Sequence, residues 1–494
     1  MDNSVTLKCF LGFWFWPDFC NENAMKKNLL VLLSCLIVQI GLGQQLVLKK
    51  GKIIDSLQIN DSIPDTFSLY LPKKFAQDSD WPLLLVIDLE KKEKQTASWF
   101  VQAAEKEGYV IAAVQIDDSL SLTKNMLKTG QVLQRVSQIL PIQKTRIYVA
   151  GKESGARYAS LTPLFLNVVN GVISMGSSIS NTDVLNLKRP FHFIGIVGKN
   201  DYAYTDLLAT EKVLNRMRFP NQVLVFDENG EEPYTSLIHK ALQIFTLNAM
   251  GKNRIPKDSL YIANAYVEDI QKVNALRSKQ KMLMAEQYLG EMLTIYGVHK
   301  NLDSLRQILK EVRKSKTFKS MRREENTTFF KESLLKDEYA YDMEEDIRTH
   351  NFNNLGWWNY QIGELDKFIN GNSVFEKQMG NRLKGFVNAL AEDNIELVQS
   401  DTIIDEDALA FLYMLKTITE PDNFDFYMNI ISLSAKNEDF GTSLFYLEEA
   451  FKAGFKDMDR LYGLENTALL RINPKFNALV SKYLKGARYR IIEE

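Results

Sequence analysis

Two hydrophobic periods divide this chain. Up to about residue 250, short apolar runs bounded by charge, proline or glycine alternate with segments whose apolar positions recur every three to four residues. Beyond that point only the second pattern continues. The first pattern predicts strands at 45–50, 53–59, 65–71, 81–88, 109–115, 147–150, 171–174, 191–197 and 222–226, and helices at 96–106, 125–140, 205–218 and 234–250. The run from Trp81 to Asp88 is a continuous apolar stretch bounded by a proline and by charge, as expected of a strand covered on both faces. Strand and helix in alternation imply an α/β fold, a mostly parallel sheet with helices on both faces. A polar, turn-like stretch at 251–259 ends this pattern. Helical spacing then runs through 259–295, 302–314, 317–348, 357–369, 374–393 and 406–418, with Lys279 to Lys281 and Arg322 to Glu325 reading as solvated helix faces. Trp357 and Trp358 sit at helical spacing, which favours core over an exposed aromatic patch. Two parts are therefore expected, 44–252 with a sheet and an all-α region at 256–494, each with its own core.

Composition narrows the class. The chain has 494 residues, 45% hydrophobic and 25% charged, with a formal net charge of -2, so it is globular and offers no electrostatic case for nucleic acid or an anionic membrane as partner. Its three cysteines, Cys9, Cys20 and Cys35, all lie near the amino terminus. The stretch 25–43 has a basic start, an apolar core from Leu29 to Ile40 and small residues at Gly41 and Gly43, the pattern of a secretory signal peptide. Residues 1–24 have no role in such a signal and are expected to be an upstream mis-assigned start. Cleavage near Gly43 is preferred over lipidation at Cys35, because the apolar run continues past the cysteine. The mature chain would then be exported, to the periplasm or beyond, with no cysteine left to form a disulfide. No later segment approaches the ~20 apolar residues needed to span a bilayer.

The candidate chemistry lies at the end of the run 147–150, where the sequence continues Gly151-Lys152-Glu153-Ser154-Gly155 into a small-residue helix start. A strand, a glycine-bracketed turn and a helix make a nucleophile elbow, read G-x-nucleophile-x-G. This stretch resembles the α/β-hydrolase superfamily, in particular secreted bacterial esterases of the feruloyl esterase and polyhydroxybutyrate depolymerase kind. The nucleophile slot holds Glu153, and Ser154 stands one place too late. The resemblance implies a triad in chain order serine, acid, histidine. Asp201, just past the strand 191–197, fits the acid. The loop that should carry the histidine has Glu231 in the matching position, while His192 falls inside a strand and His239 inside the following helix, where both read as structural. The turn after Asp88, where such esterases place glycines for the oxyanion hole, contains none.

A degenerate triad of Glu153, Asp201 and Glu231 closes the covalent route to acyl transfer. Glu153 then reads first as a helix-cap residue favoured by the dipole; the sharper reading places three carboxylates in one cleft, with one of them protonated or a hard cation such as Ca²⁺ among them. No cofactor is expected. One further segment, 424–455, resembles a tetratricopeptide repeat, with Tyr427, Ile430, Phe440, Ser443, Leu447 and Ala450 at the packing positions. The expectation is an exported, non-catalytic hydrolase-like protein that binds another protein or peptide through its helical part. The alternative is an active esterase or peptidase-type serine hydrolase with displaced catalytic residues.

Overall fold

The computed structural model describes residues 48–60, 63–227 and 234–484. The expected signal-peptide stretch 25–43, the three cysteines and Glu231 lie outside the described residues, as does the first half of the expected strand 45–50, whose last three residues are not in a strand. Residues from Lys50 onward form one compact unit, and every element below belongs to it.

In chain order the elements are β1 (Ile53–Asn60), β2 (Ile63–Tyr70), β3 (Trp81–Asp88), α1 (Glu93–Glu107), β4 (Val110–Gln115), α2 (Leu122–Ile139), β5 (Ile142–Lys152), α3 (Ser154–Phe165), β6 (Val169–Met175), β7 (His192–Gly198), α4 (Tyr204–Arg216), β8 (Asn221–Phe226) and α5 (Tyr234–Gly251). There follow α6 (Ser259–Ser278), α7 (Met282–Tyr296), α8 (Asp303–Lys314), α9 (Lys316–Thr349), α10 (Leu355–Ile369), α11 (Val374–Ser400), α12 (Glu406–Thr419), α13 (Phe424–Lys436), α14 (Phe440–Lys452), α15 (Met458–Tyr462), α16 (Ala468–Arg471) and α17 (Pro474–Leu484).

The eight strands form one sheet in the order β1-β2-β4-β3-β5-β6-β7-β8. β2 runs antiparallel to both its neighbours, and every pairing from β4 onward is parallel. All eight residues of β3 are buried, which confirms that its uninterrupted apolar run is covered on both faces. This strand order, with a sharp strand-to-helix turn after β5, is the α/β-hydrolase arrangement, and a helical region follows it.

Two details of the helical half differ from the sequence reading. The expected helix 259–295 is two helices, because Gln280 takes φ 56° and Lys281 N–H turns back to Leu276 O at 2.9 Å, so Lys279 to Lys281 is a turn and not a helix face. Glu325 is buried rather than solvated, paired with Arg322 at 2.6 Å. The indole of Trp358 is fully buried and donates to Asp346 at 2.8 Å, in keeping with the core reading of that residue. α13 and α14 form an antiparallel pair: Ser443 of α14 reaches the Ile431 carbonyl at 3.3 Å, and Phe424 at the start of α13 meets Phe455 just past α14 at 5.3 Å between ring centroids.

The pattern changes at 251–259 as expected, but the apolar core does not stop there. Leu224 of β8 and Phe245 of α5 belong to one buried cluster with Leu289 and Met292 of α7, Leu305 of α8 and Phe318 of α9. The sheet side also reaches over the boundary with polar groups: Val223 N–H donates to the Glu291 carboxylate of α7 at 3.1 Å, and Arg254 donates to Thr145 O at 2.9 Å. Because α7 covers β8, the fragment 44–250 expressed alone is expected to bind a hydrophobic dye strongly and to melt without a sharp transition, whereas the whole chain shows a cooperative one by circular dichroism. A soluble fragment with its own cooperative melt would show that the sheet half closes its core unaided.

Candidate functional site

Glu153 is the single residue between β5 and α3. It takes φ 50° and ψ -119°, a conformation that costs a non-glycine residue about 1–3 kcal/mol and survives only where its surroundings over-determine it. Those surroundings are visible. Its N–H donates to Met175 O at 2.8 Å, and its carbonyl accepts from Ala156 N–H at 3.0 Å. A Cβ on Gly151 would stand 2.2 Å from Gly155 O, and one on Gly155 would stand 3.0 Å from Ile87 O. The first glycine therefore permits the turn, and the second lets α3 press against β3. The elbow keeps the geometry of a nucleophile seat while holding a glutamate.

Its carboxylate, 62% exposed, pairs with Lys152 at 2.9 Å, and the Lys152 ammonium lies 5.5 Å from the centre of the Trp99 ring. Ser154 follows at the first position of α3, exposed.

Asp201 lies three residues past β7, at the head of α4, where its carboxylate accepts from Ala203 N–H at 2.9 Å. It faces the elbow. A Cβ on Gly176 would meet Asp201 Oδ2 at 3.3 Å and Glu153 Cγ at 3.8 Å, so the two acidic side chains flank one glycine. Gly176 itself has φ 71°. Burial raises the Asp201 carboxyl above its usual range; the Ala203 N–H opposes this, and the Glu153 carboxylate adds to it. The structure thus brings Glu153 and Asp201 together. Gly176 was missed in the sequence, although Met175-Gly176 at the end of a strand, with no helix directly after, was the available signal.

The four histidines have other partners. His192 opens β7, at the opposite end of that strand from Asp201; its ring contacts the Gln222 amide, and burial pushes the imidazole down to about 4. His239 pairs with Glu107 at 2.8 Å, His299 contacts Leu247 O at 3.0 Å, and His350 pairs with Asp405 at 2.8 Å. In the turn after β3, Asp88 accepts from Lys92 N–H and from the Thr96 hydroxyl, each at 2.7 Å, so this turn folds onto its own carboxylate. Among the described residues no group of three or more His, Cys, Asp or Glu side chains is placed to hold a metal ion.

The helical half reaches over this end of the sheet. Arg382 of α11 donates to Lys199 O at 2.6 Å and to both oxygens of Glu332 of α9, with Arg382 and Glu332 each only 1% exposed. Lys336 donates to Tyr202 O at 3.2 Å and to the Thr205 hydroxyl at 2.9 Å. Arg157 of the elbow helix pairs with Asp393 of α11 at 3.2 Å, and α11 approaches so closely at Gly385 that a Cβ there would meet Tyr202 Cβ at 3.4 Å. Sequence patterning could not reveal these pairings, which join positions 50 to 236 residues apart.

An α/β-hydrolase fold with an acid-bearing elbow is the class that strand order and turn geometry define. No family model and no curated protein matches the sequence. Among solved structures the chain is similar to esterase B from Lactobacillus rhamnosis, at 13% identity over 48% of this chain and 98% of that one, with a TM-score of 0.34. Est1E from Butyrivibrio proteoclasticus matches at 12% identity over 40% and 99%, with a TM-score of 0.32. Esterase 2 from Thermogutta terrifontis matches at 10% identity over 43% and 100%, with a TM-score of 0.34. The fold assignment itself rests on the sheet order and the elbow.

Replacing Glu153 by glycine removes both the strained backbone and the like charge beside Asp201. Glu153→Gly is expected to raise the unfolding free energy by about 1–3 kcal/mol in urea titration and to lower the Asp201 pKa read by carboxyl NMR. A variant no more stable than the parent, with an unmoved Asp201, would mean that the elbow is neither strained nor electrostatically coupled.

Proposed function

We propose that this protein is an exported, non-catalytic member of the α/β-hydrolase fold, a scaffold in which the hydrolase site has been given up and the helical half serves binding. The observation that carries the reading is Glu153, seated at φ 50° in the strained nucleophile position with its carboxylate on Lys152. A carboxylate there beside Asp201 offers no hydroxyl or thiol to attack an ester, and each described histidine has a partner elsewhere in the fold. The histidine slot of the resemblance is filled in the sequence by Glu231. The closing of α9 and α11 over the Asp201 loop supports a structural use for this end of the sheet. The antiparallel pair α13 and α14 supports the tetratricopeptide-like reading of 424–455, whose grooves take peptides or other proteins. Among the described residues no helix is long and apolar enough to cross a membrane.

Restoring a serine should not restore the enzyme, because the seat lacks the imidazole that would take its proton. Wild type and Glu153→Ser are both expected to show no turnover of p-nitrophenyl acetate or butyrate above a Glu153→Ala control, and no labelling by a fluorophosphonate probe. Turnover in the wild type that Glu153→Ala abolishes, or covalent labelling of the serine variant, would return the function to ester hydrolysis.

A further inference from the structure

A second cleft lies away from the elbow, between α4 and β8 on one side and α7 and α9 on the other, with a volume of about 400 Å³. It follows one face of α4, whose lining residues Tyr204, Leu208, Glu211 and Asn215 recur at helical spacing. From Tyr204 to Asn215 that face extends about 16 Å at 1.5 Å per residue. The two ends differ in chemistry.

At the Tyr204 end stands Lys199, 8% exposed and lining the cleft, whose ammonium has no hydrogen-bond or ion-pair partner among the described residues. A buried lysine without a partner is costly, and burial accordingly pushes Lys199 down from its usual value. Glu325 and Asp227 attract Lys199 without pairing with it, each being engaged elsewhere, Glu325 by Arg322 at 2.6 Å and Asp227 by Lys281 at 3.0 Å, while Glu286 is held by Arg313 at 2.6 Å and Arg322 at 3.0 Å. These carboxylates are shared with other cations, and Lys199 lines the cavity without an ion pair of its own.

The other end is rich in acceptors. Asn221 is 7% exposed; its amide nitrogen donates to Asn215 at 2.8 Å and to Phe219 O at 2.9 Å, while its Oδ1 is buried with no partner. Glu291, also buried, accepts one bond from Val223 N–H at 3.1 Å, and burial together with the neighbouring Glu211 carboxylate raises it well above the usual carboxylate range. Glu211 is likewise raised, first by burial. One end of the cleft thus holds a lysine with no direct ion pair, and the other holds Glu211 and Glu291 with none, Lys212 acting on Glu211 without pairing with it. A ligand carrying both charges would relieve both deficits in one binding event.

We propose that this cleft binds a short free peptide of two or three residues, its terminal carboxylate on Lys199 and its terminal ammonium between Glu211 and Glu291. The length fits: three extended residues span at most about 10–11 Å, close to the ~10.5 Å that α4 rises from Tyr204 to Glu211. Gly290 of α7 leaves the room, since a Cβ there meets nothing within 4 Å. The proposal rests on the cleft alone and stands whether or not the elbow is silent.

The test is calorimetric titration of the full-length chain with trialanine, N-acetyl-trialanine and trialanine amide. Free trialanine is expected to bind, and blocking either terminus to weaken binding at least tenfold. Lys199→Met should make the free acid and the amide bind equally, and Glu211→Gln should narrow the gap between the free and acetylated amines. Gly290→Leu, which removes no charge and adds a better helix former, should abolish binding by filling the cleft. Lys199→Met should also melt higher than the wild type, since a buried charge without a partner has been removed; this distinguishes a binding lysine from a structural one. No heat with trialanine at millimolar concentration, equal binding of free and blocked peptides, or unchanged binding in Lys199→Met would overturn the proposal.

Discussion

The buried pair of Arg382 and Glu332 holds this structure in its observed form. Both side chains are 1% exposed, and the guanidinium nitrogen that does not touch Glu332 donates to the Lys199 carbonyl, at the carboxyl end of β7. Tyr204 and Phe329 place their rings 5.4 and 5.5 Å from the guanidinium carbon, so the charge is taken from water into an aromatic sleeve. Such a pair adds little net stability over apolar residues of the same shape, yet removing one partner costs roughly 3–5 kcal/mol because the other is left charged and buried. Its effect is to fix one arrangement. By gripping the backbone between β7 and α4 it sets the position of Asp201, whose side chain faces the elbow, and of Lys199, whose side chain faces the second cleft.

That junction also sets the elbow and the acid against each other at this end of the sheet. The sheet retains what the fold requires of an elbow: two close-packed glycines, a residue at positive φ and an acid beyond the next strand but one. The seat itself holds Glu153. A glutamate at the seat carries a strain that a serine enzyme would use for positioning, and it lies beside a carboxyl that burial has already made reluctant to ionise. The elbow therefore combines the backbone of a nucleophile seat with a carboxylate side chain. The helices packed over Tyr202 and Thr205 supply contacts that keep this end of the sheet closed.

The sequence made the middle of the sheet legible because β3 and β7 are buried on both faces and appear as apolar runs with no polar face to confuse the period. Gly151 and Gly155 were legible for a related reason, since their backbone approaches leave no room for any other residue. Asp201 followed from its place after a strand. What the sequence concealed depends on tertiary partners. The Gln280 turn looks like helix by composition, Glu325 looks like a solvated charge, and the single core linking Leu224 to Leu289 is invisible to any local window. The second cleft was hidden for the same reason, because an unpartnered lysine can be recognised only when its surroundings are known.

Hydrogen–deuterium exchange on an Arg382→Met variant tests the central claim most directly. If the buried pair positions the acid loop, peptides covering 198–205 and the elbow at 151–157 should exchange markedly faster than in the wild type, while the centres of β3 and β5 stay protected. Unchanged protection at 198–205 in a folded variant would contradict the account, and would mean that the acid loop and the elbow hold their form without the helical half.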